Sequence, residues 1–319
     1  MIAVTIGDPA GIGCEIVLKA LAEFDSADFA VYADARVVEK TMRLPGVPQF
    51  PIRRIRAGDV GESGCCNVVD IPNLPDFEFS RIDERCGRSA YEYFARAVDD
   101  ALKGLVSCVC TGPVHKVALR AAGLDVAGHT EMLSQLTGAE DPLTMFQVDG
   151  LRIFFLSRHV SLARACRMVT RERLLDYIPR CIAAMEQLGL EGELAVAGLN
   201  PHCGDNGLFG SEERVIEEAV SACRSRGLPV CGPVSADSVF WQCLKGRYAA
   251  VLSLYHDQGH IAAKTYDFDR TISLTLGCPV LRLSVDHGTA FDIAGRGIAD
   301  ETGMAEVFAK ALSWTRRRS

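Results

Sequence analysis

An α/β fold built on a mostly parallel sheet is what this sequence predicts, on three observations. Short β-rich runs alternate along the chain with stretches of helical spacing, the order that interleaves strands of a sheet with covering helices. A chain of 319 residues with 48% hydrophobic content can bury a large core, and its length suggests two lobes rather than one. The segments densest in chemically capable side chains follow strand-like runs, and ligands of such sheets gather at the carboxyl ends of strands.

The strand-like runs are "IAVTI" (2–6), "FAVYA" (29–33), "VSCVCTG" (106–112), "LRIFFLS" (151–157), "ELAVAGLN" (193–200), "AAVLSLYH" (249–256) and "TISLTLG" (271–277). Each is short and rich in β-branched or aromatic residues. Helical spacing marks "GCEIVLKALAEF" (13–24), "SAYEYFARAVDDALKG" (89–104), "RERLLDYIPRCIAAMEQLG" (171–189) and "SEERVIEEAVSACRSRG" (211–227). Residues 43–80, rich in Pro, Gly and Arg, read as the most irregular stretch.

Composition excludes several classes. A formal charge of −7 and a pI near 5.6 leave no concentrated basic face for nucleic acid, so an anionic ligand must be held by a few local cations. The basic "TRRRS" at 315–319 reads as a solvated tail complementing a helix C-terminus. No apolar run approaches the roughly 18 residues that cross a bilayer, and the first residues lack a signal-peptide pattern, so no membrane partner is expected and the cytoplasm is the expected compartment. The thirteen cysteines are scattered and odd in number, with no CxxC pair, and read as reduced, small apolar side chains.

All seven histidines lie beyond residue 114, and three follow strand-like runs: His159, His202 and His256. Imidazoles on separate strand ends can converge on one divalent cation and leave a position open, the pattern of a catalytic metal site; three unrelated loop histidines are the alternative. The stretch "LYHDQGHIAAK" (254–264) reads as a strand end running into a functional loop. "TIGDPAGIGCE" places Gly7, Gly11 and Gly13 between a strand and a helix but is not GxGxxG, so it reads as a tight turn bringing backbone close to a site. "SVDHGTAFDIAGRGIAD" (284–300) combines small residues with Asp286, His287 and Asp292, suited to close approach of a flat ligand or to a capped turn before the last helix.

Together "TIGDPAGIG", "TGPVHK", "GHTE", "NPHCGD", "YHDQGH" and "SVDHGTAFDIAGRG", in this order over nearly the whole chain, resemble the 4-hydroxythreonine-4-phosphate dehydrogenase (PdxA) family of pyridoxal phosphate biosynthesis. The resemblance implies an isocitrate/isopropylmalate dehydrogenase-like fold: two α/β lobes flanking a cleft, one formed by 1–128 plus 278–319 and the other by 129–277. It also implies an obligate homodimer with shared active sites, two metal ligands coming from one subunit and the third from its partner. His159, His202 and His256 would hold zinc, cobalt or magnesium. His129, Thr130, Lys264, Ser273 and Arg282 would contact the substrate, with Asp237 and Lys264 catalytic. The loop bearing His287, Gly288, Thr289, Ala290 and Asp292 would take the adenosine part of NAD or NADP.

The implied reaction is oxidation and decarboxylation of 4-phosphooxy-L-threonine to 3-amino-2-oxopropyl phosphate. The alternative is a branch that oxidises 4-phospho-D-threonate or 4-phospho-D-erythronate to dihydroxyacetone phosphate, which "YHDQGHIAAK", with His260, and "TIGDPAGIG" resemble. Dehydrogenation of carboxylated cis-dihydrodiols, or a catalytically silent binding protein, is less in keeping with a full set of metal ligands and cations. Three departures from the family stand near its site: Ser273 replaces an asparagine, Cys203 and Asp205 stand where an alanine and a glutamate are usual, and Cys14 replaces a proline at a helix start. Cys203 reads as a small filler.

Overall fold

The computed structural model describes residues 1–126 and 128–315; the expected tail at 316–319 lies outside the described residues. It divides into two compact units, one of Met1–Pro142 with the chain from Cys278 onward, the other of Leu143–Gly277. The first unit begins with β1 (Ile2–Thr5), α1 (Gly13–Leu21), β2 (Phe29–Ala33), α2 (Ala35–Met42), β3 (Ile52–Arg54), β4 (Cys66–Asp70), α3 (Glu84–Leu102), β5 (Val109–Thr111), α4 (Lys116–Ala121) and α5 (His129–Thr137). The second holds β6 (Leu143–Val148), β7 (Leu151–Phe155), α6 (Leu162–Met168), α7 (Arg171–Gln187), β8 (Leu194–Ala197), α8 (Glu213–Ser225), β9 (Val230–Val234), α9 (Ala236–Leu244), β10 (Ala250–Ser253), α10 (His256–Tyr266) and β11 (Ile272–Leu276). The chain then returns to the first unit with β12 (Arg282–Val285) and α11 (Thr302–Thr315).

In the first unit the strand order is β3-β4-β2-β1-β5-β12, every pairing parallel. All residues of β1, β2, β5 and β12 are buried, and β1 and β2 accordingly read as nearly continuous apolar runs instead of alternations. Residues 43–80, expected to be irregular, contain two of these strands. Their signal was weak because β3 is an edge strand reading "IRR" and β4 holds only a two-residue β-branched core. Asp34 caps α2 through the Arg36 N–H and also accepts from Leu74 N–H at 2.9 Å, tying the chain after β4 to the same buried carboxylate. α5 packs on α3, the His129 ring lying edge-on to Phe94 at 4.9 Å, so 129–142 belong to the first unit and not, as expected, to the second.

The second unit's strand order is β11-β6-β7-β10-β8-β9, with β11, β6 and β7 antiparallel to one another and the rest parallel. The antiparallel part follows from "VDGL", where Asp149, at φ 46°, and Gly150 make the two-residue turn of a hairpin. Phe146, Ile153, Phe155, Val239, Val251 and Ala263 share one apolar core.

The stretch 254–264, expected as a loop, is helical from His256. Its seat explains the sequence "HDQGH". The Leu254 N–H donates to Gln258 Oε1 at 2.7 Å, and Gln258 Nε2 donates to Gly198 O at 2.8 Å, so one side chain satisfies the chain entering α10 and fastens it to the end of β8. A Cβ on Gly259 would lie 2.6 Å from the Phe155 ring, 2.7 Å from Ile153 and 2.9 Å from Ser253 Oγ, so only glycine lets α10 rest on β7 and β10. With that contact fixed, His256, His260 and Lys264 fall on one face at intervals of four.

Gly259→Ala is expected to lower unfolding free energy by about 1–3 kcal/mol, the usual range for overpacking. Urea denaturation followed by circular dichroism measures it, and an unchanged midpoint at unchanged slope would contradict this seating.

Candidate active site

The second unit brings two of the three singled-out histidines together. His159 follows β7 and His256 opens α10, and the parallel pairing of β7 with β10 sets both loops at the same end of the sheet. Their ring centroids are 5.6 Å apart. His256 Nδ1 is 2.6 Å from Asp257 Oδ1, and the ring stacks on His260 at 3.6 Å with an interplanar angle of 11°. His260 is wedged against Phe146 and Phe155 at 4.3 and 4.5 Å, with Nδ1 2.8 Å from His256 O. Burial lowers its pKa to about 4, the charges of His256, Lys264 and His159 adding and the carbonyl bond opposing, so His260 is a neutral brace. Arg158, His159, Tyr255, His256 and Asp257 line a cavity of about 360 Å³.

His202 lies apart from this pair, in a turn where five successive residues, His202 to Asn206, have positive φ between 43° and 75°. Buried Glu213 holds the approach to that turn: Oε1 accepts from Leu199 and Asn200 N–H at 3.0 and 2.6 Å, and Oε2 from Asn200 Nδ2 at 2.8 Å. Cys203 packs on Gly198, where an added Cβ would stand 2.8 Å from Sγ. Burial, then the charges of Glu213 and Asp237, raise its thiol pKa, so it sits as an inert neutral group, as a filler would. Asp237 is exposed in the first turn of α9, near enough to this turn to act on Cys203. Among the described residues no three His, Cys, Asp or Glu side chains form a group that could hold a metal.

Lys264 extends its ammonium over the Phe268 ring at 5.0 Å. Ser273 is half-buried on β11 opposite Phe146.

In the first unit, Arg282 is buried in β12 with Nε donating to Thr111 Oγ1 at 3.1 Å. Burial brings its pKa down to about 10, leaving it a cation at neutral pH. His129 opens α5 with Thr130 beside it, and burial, reinforced by the Arg282 charge, holds its imidazole neutral. Its buried Nε2 has no hydrogen-bond partner, an open polar atom of the kind a ligand satisfies.

The turn "GDPAGIG" is a close approach of backbone. Gly7 has φ 69°, a Cβ on Gly13 would meet Ile6 O at 1.9 Å, and one on Gly11 would meet Thr289 at 2.9 Å. Ile12 N–H donates to Thr289 O at 3.1 Å, so this turn and the loop of His287, Gly288, Thr289, Ala290 and Asp292 form one surface. Thr289 is buried, while Gly288 and Asp292 are exposed. His115, of "TGPVHK", stacks on Phe291 at 4.6 Å. Asp8 sits inside the turn, its Oδ1 accepting from Ala10 N–H at 2.9 Å and its buried Oδ2 unpartnered. Burial pushes its pKa up to about 7 against the Ala10 bond, with the Asp83 charge adding.

A family model described as pyridoxal phosphate biosynthetic protein PdxA matches residues 25–311. The chain belongs to the PdxA family. It is 52% identical to a provisionally named D-threonate 4-phosphate dehydrogenase of Symbiobacterium thermophilum, across 96% of this chain and 94% of the relative. A solved 4-hydroxythreonine-4-phosphate dehydrogenase of Klebsiella pneumoniae superimposes with a TM-score of 0.91 at 38% identity, covering 98% of each chain. A terephthalate 1,2-cis-dihydrodiol dehydrogenase of Burkholderia xenovorans follows at 0.72 and 27%, covering 98% of this chain and 97% of that one.

Within this PdxA member, sequence reasoning missed Arg158, Gln258, Gly259, Glu213 and Asp8. "YHDQG" did carry a signal for two of them, since a glutamine and a glycine beside a strand-end histidine are suited to fixing a helix start.

Asp8 gives a pH test. Its folded-state pKa near 7 lies above the ~3.9 of an unfolded aspartate, so the folded form binds the extra proton between those values. The contribution to stability is full below about pH 4 and is lost as pH rises through 7. Asp8→Asn should remove the loss, gaining on the wild type by at most about 4 kcal/mol between those limits. Urea unfolding of both proteins near pH 5 and above neutrality reads this; a wild-type-to-variant difference that ignores pH would refute it.

Proposed function

We propose that this protein is an NAD(P)-dependent, divalent-metal-dependent dehydrogenase that oxidises C3 of a 4-phosphorylated four-carbon hydroxy acid and releases its carboxylate as carbon dioxide. The carrying observation is the pair of imidazoles at 5.6 Å, one fixed by a carboxylate, in a member of a dehydrogenase family. Three relatives 47–52% identical over 94–97% of their lengths are provisionally named D-threonate 4-phosphate dehydrogenases, which favours 4-phospho-D-threonate as substrate. The solved neighbours at 35–38% identity, with TM-scores of 0.88–0.91, are titled 4-hydroxythreonine-4-phosphate dehydrogenases and support 4-phosphooxy-L-threonine as the second reading.

The donor set fits a zinc, cobalt or magnesium ion. An Nδ1–H of His256 donating to Asp257 leaves Nε2 as the ligating lone pair, the arrangement that orients metal-binding histidines. His159 would be the second donor, and His202, in its separate turn, would complete the set as a ligand given across a homodimer. Exposed Leu162, Leu208, Phe209, Trp241 and Ile261, all in the second unit and 48–71% accessible, support such a partner. When bound, the cation would supply Lewis acidity that lowers the pKa of the substrate hydroxyl.

The residues of the chain would do the rest. Asp237, exposed and within the electrostatic reach of the His202 turn, would take the C3 hydroxyl proton or relay it. When bound, NAD or NADP would supply the acceptor for the C3 hydride; the C1–C2 bond of the resulting 3-oxo acid would then break, its electron pair forming the enolate that is protonated at C2. Lys264 would offset that developing negative charge as a point cation. Arg282 suits the phosphate because its planar fork can bond two oxygens, and neutral His129 with Thr130 would orient the substrate. The surface shared by Thr289 and the Gly11 turn would receive adenosine. Thirteen free cysteines fit a reducing cytoplasm, and among the described residues no helix is long and apolar enough to cross a membrane.

Purified protein is expected to reduce NAD or NADP with 4-phospho-D-threonate and 4-phospho-D-erythronate, with kcat/KM at least about tenfold above that for 4-phosphooxy-L-threonine. Chelation should abolish turnover and added divalent cation restore it. The reverse preference would establish the second reading, and no reduction with any of the three would sink both.

A further inference from the structure

Arg158 differs from the arginines that are paired with acids. Arg36, Arg54, Arg81, Arg85, Arg96 and Arg180 each reach a carboxylate at 2.9 Å or closer. Half-buried Arg158 has one hydrogen bond, from Nη1 to the neutral hydroxyl of Thr144, and among the described residues no carboxylate pairs with it. It lines the same cavity as His159 and His256. The acid of that lining, Asp257, is turned to His256 at 2.6 Å. A half-buried cation without a counter-ion, beside two imidazoles, calls for an anionic ligand group.

We propose that Arg158 binds the carboxylate of the phosphorylated hydroxy acid, fixing which end of the substrate enters beside the imidazole pair. This rests on the dehydrogenase reading above and deepens it. The carboxylate, not the phosphate, is the group that belongs here. In a 2,3-dihydroxy or 2-amino-3-hydroxy acid C1 is bonded directly to the carbon carrying one of the two chelating groups, whereas the phosphate is a further carbon and oxygen removed from the other. Arg158 and His159 line the same cavity, so a substrate held at C2 and C3 by a cation on His159 would present its carboxylate toward the guanidinium. Thr144, buried at the start of β6, holds one edge of the guanidinium and leaves the other for a two-oxygen acceptor.

The role predicts a particular kinetic signature. The ion pair forms with the bound acid and weakens as the carboxylate becomes neutral carbon dioxide, so it stabilises the ground state more than the transition state of decarboxylation. Arg158→Gln should raise KM about 10- to 100-fold and leave kcat within about threefold, matching the loss of a charge-assisted bond. Arg158→Lys should recover part of the KM, and Thr144→Val, which removes only the brace, should raise it a few-fold.

The deciding measurement is calorimetric binding, to metal-loaded wild type and Arg158→Gln, of the substrate acid and of the ketone phosphate left after decarboxylation. Binding of the acid should weaken at least tenfold while the ketone phosphate, having no carboxylate, binds both proteins alike. Equal weakening of both ligands would overturn the assignment in favour of a phosphate or folding role, and unchanged binding of the acid would overturn it outright. Thermal unfolding of the variants separates misfolding from lost affinity, and Thr144→Val keeps the test open if Arg158→Gln does not fold. If wild type turns over none of the phosphorylated acids, the substrate reading itself fails and the Arg158 role falls with it; turnover by wild type with an unaltered variant removes the Arg158 role alone.

Discussion

The contact on which the arrangement of the second unit depends is the seating of α10 against β7 and β10 at Gly259. A side chain there would meet Phe155, Ile153 and Ser253 at under 3.0 Å, and the helix would have to lift. Because it does not, the first residue of α10 lies beside the loop that leaves β7, and His256 comes to His159. Gln258 fixes the same helix along its axis, satisfying Leu254 N–H below and Gly198 O beside it. One glycine sets the distance and one glutamine sets the phase, and the face bearing His256, His260 and Lys264 follows from helical spacing.

That chain of causes shows why the sequence revealed the participants better than their geometry. His159 and His256 could be singled out because each follows a recognisable buried strand, and parallel pairing puts such strand ends on one side. The helix between His256 and Tyr266 was not foreseen, since "HDQGHIAAK" is polar with a glycine in its middle and has no apolar stripe wide enough to announce itself. The hairpin joining β6 and β7 went unread, although Asp149-Gly150 between two apolar runs is a pair suited to a two-residue turn. His202 marks the limit of such reasoning: it follows β8 as expected, yet its left-handed turn carries it away from the cavity of the other two. Strand order predicts which end of a sheet a residue occupies, and the loop decides where its ring goes.

Buried charged and polar groups are handled in two opposite ways, each found in both units. Glu213 is enclosed by three donors and Asp34 by Arg36 and Leu74, so each carboxylate is saturated and its work is to hold chain segments together. Asp8, His129 and Arg158 are different: one buried carboxyl oxygen without a partner, one buried imidazole nitrogen without a partner, one guanidinium held only by a hydroxyl. Leaving a buried polar group unsatisfied costs about 1–3 kcal/mol, so groups of this kind persist where a ligand supplies the missing partner. They lie on the glycine turn, on α5 and after β7, segments that sequence motifs had also marked, for reasons that have nothing to do with packing.

The groups proposed to hold the ends of the substrate would serve both substrate readings, so selectivity would reside where the two acids differ, at the group on C2. An amine at that carbon is a cation at neutral pH and needs acceptors, whereas a hydroxyl both donates and accepts and adds no charge. Ser273, half-buried on β11, offers a single hydroxyl where the family's asparagine offers a carbonyl acceptor and an amide donor at greater reach. The surroundings are poor in negative charge: His260 is neutral, Arg158 and Lys264 are cationic, and Asp257 is occupied by His256. An ammonium would add a charge beside the Arg158 and Lys264 cations, with Asp257 turned to His256, while a hydroxyl adds none. The same balance of charge that would make room for a carboxylate at Arg158 would therefore favour a hydroxy acid over an amino acid under the proposed reading.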